Sequence, residues 1–265
     1  MNEFILSSEI LTEFELESPK EYKIKAIILL VENNRLNEGY SLNMLGKQMK
    51  DWVKDAIFHF DCRFVSLAEK DNPLEVIKPF ITDEDFTIVL FSDTPLLTSN
   101  TVLETLDYAT TKNLDFCKLP RGFIINSKNY LSSQLSSSAE PAFINKDEFF
   151  VVFDCKTLSV AEGVLKNRIM DKHLKNKVII HDINSTYIEA KVEIEPNVEI
   201  FANNVLKGLT KIEEKVVLKE NNIIEDSVVS KGSEVISSVL KNTKVLKESK
   251  IGPFKFLQDN KGDKK

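Results

Sequence analysis

Asp93 and Thr94, in the run FTIVLFSDTP (86–95), are the residues best placed to do chemistry. A block of apolar and β-branched residues followed by Ser, Asp, Thr and Pro reads as a buried strand ending in a turn. In open α/β sheets ligands collect beyond the carboxyl ends of the strands, so Asp93 stands at a binding edge. Its carboxylate is a hard oxygen donor of the kind Mg²⁺ takes, yet Asp is equally at home in a turn before Pro95. Both readings stay open. The remaining reactive side chains are scattered. His59, His173 and His181 are isolated and read as surface or helix-face residues rather than bases. Cys62, Cys117 and Cys155 give neither a metal-ligand spacing nor a complete disulfide set, which fits a reducing cytoplasm.

Alternating strands and helices must position these groups. IKAIILL (24–30) is a continuous apolar run, as a parallel strand buried on both faces requires. A helix is expected over residues 49–60, with Met49, Trp52, Val53, Ala56, Ile57 and Phe60 on one face. Another should start at a Thr101–Glu104 capping box. The Ser-rich run LSSQLSSSAEP (131–141) reads as a flexible loop, and EFFVVFD (148–154) as a last strand. A joining helix then carries Leu158, Ala161, Leu165 and Ile169 on one face, with Ser159–Glu162 as its capping box. Strands feeding helices in this order predict a mainly parallel, Rossmann-like sheet.

A different periodicity follows. From Ile188 the chain divides into sixes whose first residues are Ile188, Ile194, Ile200, Leu206, Ile212, Leu218 and Ile224, all large aliphatics. The fifth residues, from Val192 to Val228, are small or medium. The frame blurs after Ser230, and a second sixfold register appears at Val239, Val245 and Ile251. A period of six suits neither a helix nor a simple strand; it suits a short left-handed parallel β-helix of about four coils. Asn204 and Asn222 are expected at its corners, because Asn tolerates left-handed backbone. The domains expected are 1–156 (α/β), 157–182 (joining helix), 183–257 (β-helix) and 258–265 (disordered tail).

Composition narrows the function. Hydrophobic residues make up 42% and charged residues 29%, as in ordinary globular domains, and the net charge of −6 offers no general attraction to nucleic acid or anionic lipid. The lysines after 240 read as decoration of solvent-facing corners. No apolar run approaches a membrane span, and the acidic first residues lack a secretory n-region, so a cytoplasmic protein is expected.

Several stretches resemble the bacterial bifunctional N-acetylglucosamine-1-phosphate uridyltransferase/glucosamine-1-phosphate acetyltransferase (GlmU) family. They are LFSDTPLLT (90–98), KNRIMDKHLKNKV leading into INSTYIEAKVEIEP (183–196), the hexads ending in IGPFKF (251–256) and, more weakly, LGKQM (45–49). The resemblance implies a sugar-nucleotide pyrophosphorylase-like domain, Mg²⁺ as cofactor, a nucleotide or sugar phosphate as ligand, and a trimer through the β-helix. It implies that Arg35 is the catalytic phosphate clamp, though a solvated loop arginine fits that position equally. It also implies that Asp93 and Thr94 bind substrate, and that Asp93, with Asp154 beside the family's Asn position, holds the metal. Several family features are missing. VENNRLNEGYS (31–41) keeps only Gly39 of the Gly-rich phosphate loop, and bulky side chains there block backbone approach to phosphate. The base-recognition residues and the sugar-binding lobe have no counterpart, and no acetyltransferase activity is expected. A binding, regulatory or assembly protein of this superfamily is therefore the first reading. The alternative is an active Mg²⁺-dependent nucleotidyltransferase with a rebuilt site.

Overall fold

The computed structural model describes residues 22–32, 36, 39–142 and 145–259. The chain opens with β1 (Ile24–Val31), the short hairpin β2 (Asn43–Met44) and β3 (Lys47–Gln48), α1 (Met49–Ala56) and β4 (Asp61–Leu67). There follow α2 (Pro73–Ile77), β5 (Phe86–Phe91), α3 (Ser99–Thr111), β6 (Phe116–Leu119) and β7 (Gly122–Asn126). The domain closes with α4 (Ser127–Leu131), β8 (Ser138–Ala139) and the long α5 (Cys155–Lys175). The main sheet runs β4-β1-β5-β7-β6-β8. All six residues of β5 are buried, which is why its sequence shows no alternation.

The sheet is parallel where β1 pairs with β4 and β5, and again where β8 pairs with β6. Beyond β5 the β7 strand is antiparallel, and so is the β6–β7 pair. The cause is local. Leu119 pairs with Gly122, so only Pro120 and Arg121 link the two strands, far too short a connection for a parallel crossover.

Other expectations shift by a turn or change type. Residues 148–154 do not form a strand. Asn145 caps a 3-10 turn over Lys146–Phe149, and of the extended residues after it Val152 donates its N–H to the Asp93 carbonyl at 2.8 Å. Helix α3 starts one turn before the expected box, because the Thr98 side chain accepts from the Thr101 N–H at 3.4 Å. Helix α5 occupies 155–175 rather than 157–182. Its capping box is Asp154–Thr157, with Thr157 N–H on Asp154 Oδ1 at 2.8 Å and Asp154 N–H on Thr157 Oγ1 at 3.0 Å. The Ser-rich run is tied to the sheet. Buried Asp115 accepts from the N–H groups of Ser136 (2.8 Å) and Ser137 (2.9 Å) and from Asn129 Nδ2 (2.5 Å).

After α5 the chain winds as a parallel β-helix with three faces of stacked short strands. Ile188, Ile194, Ile200, Leu206, Ile212, Leu218 and Ile224 all point inward, none more than 5% exposed. The blurred frame has a simple origin. Inward residues continue as Val229, Val235, Leu240 and Val245, so several sides hold five residues instead of six. The coil shortens from 18 residues, Tyr187 pairing with Val205, to 16, Ile223 pairing with Val239. Leu240, not the expected Val239, is therefore the inward residue of that side.

The asparagine pairs also divide their work differently from expectation. Left-handed backbone falls on Asn203 (φ 60°) and Asn221 (φ 65°). Asn204 and Asn222 are fully buried and form a polar ladder inside the prism. Asn222 Nδ2 donates to Asn204 Oδ1 at 2.9 Å, and Asn222 Oδ1 accepts from the Ser238 N–H at 3.0 Å. Phe256–Gln258 pairs with Val239–Lys241, so residue 258, expected in the tail, belongs to the last rung; residues 260–265 lie outside the described residues.

The two parts share a core. Ala161, Leu165, Ile169 and Met170 of α5 pack in one cluster with the inward aliphatics of the first coils. The β2–β3 turn reaches across as well. Leu45 (φ 51°) and Gly46 (φ 81°) both adopt positive φ, and the Leu45 carbonyl accepts from the Ala190 N–H at 2.9 Å. A Cβ on Gly46 would lie 2.7 Å from Glu189 Oε2, so only glycine allows this approach.

Candidate functional site

A cleft of about 740 Å³ opens at the carboxyl ends of β1, β4 and β5, where Val31, Leu67 and Phe91 end their strands. This is the edge at which a Rossmann-like sheet gathers ligands. Asp93 follows β5 into the cleft and is 5% exposed. The β6–β7 turn delivers Arg121 directly against it. Arg121 Nε donates to Asp93 Oδ1 at 3.2 Å and Nη2 to Oδ2 at 2.6 Å, a bidentate pair. The guanidinium also lies 4.1 Å from the centroid of the Phe91 ring. Gly122 fixes this placement, since at φ 144° its Cβ would stand 2.6 Å from the Val89 carbonyl.

The other expected site residues take different roles. Thr94 is fully buried, and its hydroxyl donates to the Phe91 carbonyl at 3.0 Å, closing the turn after β5. Asp154 Oδ1 accepts from both the N–H (2.8 Å) and the hydroxyl (2.7 Å) of Thr157, as the N-cap of α5. Arg35 lies outside the described residues. Among the described residues, no three His, Cys, Asp or Glu side chains converge in a way that would hold a metal ion. The cleft wall is acidic: Glu32, Glu69 and Asp71 line it with Asp93, and Arg121 is the basic residue among the described lining residues.

Among the described residues, no cysteine or histidine lines the cleft. Burial pushes the Cys62 and Cys117 thiols up to about 11, which removes thiolate character near neutral pH. His181 sits on the β-helix, its Nε2 2.8 Å from Glu199 Oε1 and its ring stacked on Phe201.

The structure places Asp93 at the strand edge expected for it and brings against it Arg121, which no expectation included. The available signal was the Leu119-Pro120-Arg121-Gly122 punctuation, a tight turn that brings an arginine back to the strand edge.

No family model matches the chain. Among curated proteins it is similar to "Bifunctional protein GlmU" of Clostridium novyi (38% identity over 43% of this chain and 25% of that protein) and of Clostridium acetobutylicum (42% over 38% and 23%). The GlmU of Streptococcus gordonii is similar at 35% identity over 42% of this chain. The matched stretch spans about a quarter of each of these relatives. Among solved structures, the molybdopterin-guanine dinucleotide biosynthesis protein A of Archaeoglobus fulgidus covers 54% of the chain at 12% identity, with a TM-score of 0.42. A CMP:2-keto-3-deoxy-manno-octonic acid synthetase gives 11% identity over 55% of the chain, also with a TM-score of 0.42.

Fold and site together define a Rossmann-like α/β domain, with its cleft at the strands' carboxyl edge, joined to a parallel β-helix. Over about two fifths of its length this chain is similar to GlmU at 35–42% identity.

Proposed function

We propose that the chain is a nucleotidyltransferase-superfamily protein that no longer transfers nucleotides and acts as a cytoplasmic binding, regulatory or assembly protein. The observation that carries this reading is the closed ion pair of Asp93 and Arg121 in an acidic cleft. Phosphoryl chemistry on a triphosphate depends on positive charge placed around the transferring group. Here a triphosphate would meet Glu32, Glu69 and Asp71, and the charge of Arg121, the one cation among the described lining residues, is offset by Asp93. The loss of the closely spaced glycines after β1 points the same way. A nucleotide or sugar phosphate remains the proposed ligand class.

Assembly is the second part of the reading, and the β-helix offers a surface for it. On one face the outward residues stack as Tyr187, Val205, Ile223, Val239 and Phe256, apolar at every rung. The corresponding column of a neighbouring face reads Glu193, Lys211, Val228 and Lys244. Self-association through this face is proposed, and the trimer implied by the resemblance is its expected form. The catalytic question is settled by pyrophosphate release from UTP and other triphosphates with several sugar 1-phosphates and Mg²⁺. No turnover is expected. Turnover abolished by Asp93→Ala would establish the rebuilt-enzyme alternative instead.

A further inference from the structure

The donor set at Asp93 does not fit a divalent cation. A Mg²⁺ site needs carboxylate oxygens that are free to coordinate, and both oxygens of Asp93 accept N–H bonds from Arg121, at 3.2 and 2.6 Å. Asp154, the second carboxylate expected to serve, caps α5. We infer that the Arg121 guanidinium replaces the metal in this cleft, as the fixed cation that receives a ligand's single phosphate group without any divalent ion.

The geometry suits that task. A guanidinium has five N–H donors in a rigid fork. Asp93 takes one on Nε and one on Nη2, which leaves both hydrogens of Nη1 and one of Nη2 for a ligand. Phe91 stacks beneath the plane at 4.1 Å, and the two-residue β6–β7 turn fixes the stem. The side chain keeps 34% of its surface exposed while Asp93 keeps 8%, so the carboxylate serves as a buried anchor and the guanidinium faces the cleft. Such an arrangement pre-orients the fork, and phosphate oxygens match its spacing.

The same surroundings set the ligand's charge. Arg121 faces a wall carrying Glu32, Glu69 and Asp71, so each added phosphate brings negative charge with no further cation among the described lining residues to meet it. A compound with one phosphate is the best match, and affinity should fall from mono- to di- to triphosphate. A metal-dependent triphosphate site shows the opposite order. This inference rests on the proposed loss of nucleotidyl transfer, since it assigns the retained cleft a ligand.

The test is calorimetric titration of the full chain with inorganic phosphate, a sugar 1-phosphate, and the mono-, di- and triphosphates of each common nucleoside, in EDTA and in Mg²⁺. Expected are a monophosphate that binds in EDTA, a Kd that Mg²⁺ changes by less than about twofold, and a tenfold or greater loss in Arg121→Gln. Arg121→Lys, which keeps the charge without the fork, should fold and bind at an intermediate Kd; it carries the test if Arg121→Gln is unfolded by circular dichroism. Binding that needs Mg²⁺, triphosphate held tighter than monophosphate in EDTA, no monophosphate bound at all, or unchanged affinity in the arginine variants would each overturn the inference. Pyrophosphate release on the same preparation separates the two readings: turnover sinks the non-catalytic one, while metal-dependent binding without turnover sinks only the role given to Arg121.

Discussion

His173 lies where α5 meets the first coils, 3% exposed, in a recess it shares with Lys172 and Glu193. Burial, reinforced by Lys172, pushes its imidazole from 6.5 down to about 4. The folded chain therefore holds this ring neutral at pH values where the unfolded chain protonates it. Its contribution to stability is complete above pH 6.5 and is lost as pH falls from 6.5 through 4. Urea midpoints measured from pH 7.5 to 4.5 should fall on the acid side for the native chain and fall less for His173→Gln. Equal slopes would remove His173 from the acid response. At this scale the sequence was readable where a side chain acts alone. His173 on a helix face and Asp93 at a strand end needed only local pattern. Arg121 did not yield to it, because its meaning comes from a carboxylate 28 positions earlier that only the β6–β7 return brings near.

Among elements, the paired asparagines give a sharp test. Asn221 and Asn222 are adjacent and chemically identical, yet one supplies left-handed backbone and a single exposed bond from Asn203 Nδ2 (3.2 Å), and the other four internal hydrogen bonds. Asn221→Gly should leave stability within about 0.5 kcal/mol, since glycine adopts positive φ freely. Asn222→Gly leaves the Lys219 and Val235 carbonyls and the Ser238 N–H without that partner and should cost about 3 kcal/mol. Chemical denaturation of the two variants decides it, and similar losses would mean the ladder contributes nothing specific. The β-helix was legible because each side places one large aliphatic inward. Its exact frame was not, since five-residue sides slide the pattern and turn Val239 outward where Leu240 is buried. EFFVVFD misled for another reason. It has the composition of a strand, but its backbone packs over Asp93 through the bond from Val152, between a 3-10 turn and the cap of α5.

For the molecule as a whole, the two parts are joined by packing: α5 shares the prism's core, and the glycine turn at 46 lies against Glu189. That leaves the apolar column as the surface on which association is predicted to depend. Light scattering of the native chain should give a mass above that of the monomer, and Ile223→Glu, at a position already 42% exposed, should return the monomer with no loss of fold. A native monomer would contradict assembly through this face. The shortened coils bear on how such a surface is inherited. Cohesion in the prism runs across coils, through rungs such as Ile223 on Val239, and hardly at all along the strand. One residue can therefore drop out of a side while every rung above and below stays matched. The outward column at 187, 205, 223, 239 and 256 is thus continuous in space yet keeps no constant interval in the chain. Any comparison that counts in sixes will see that column dissolve halfway up, although the surface itself is unbroken.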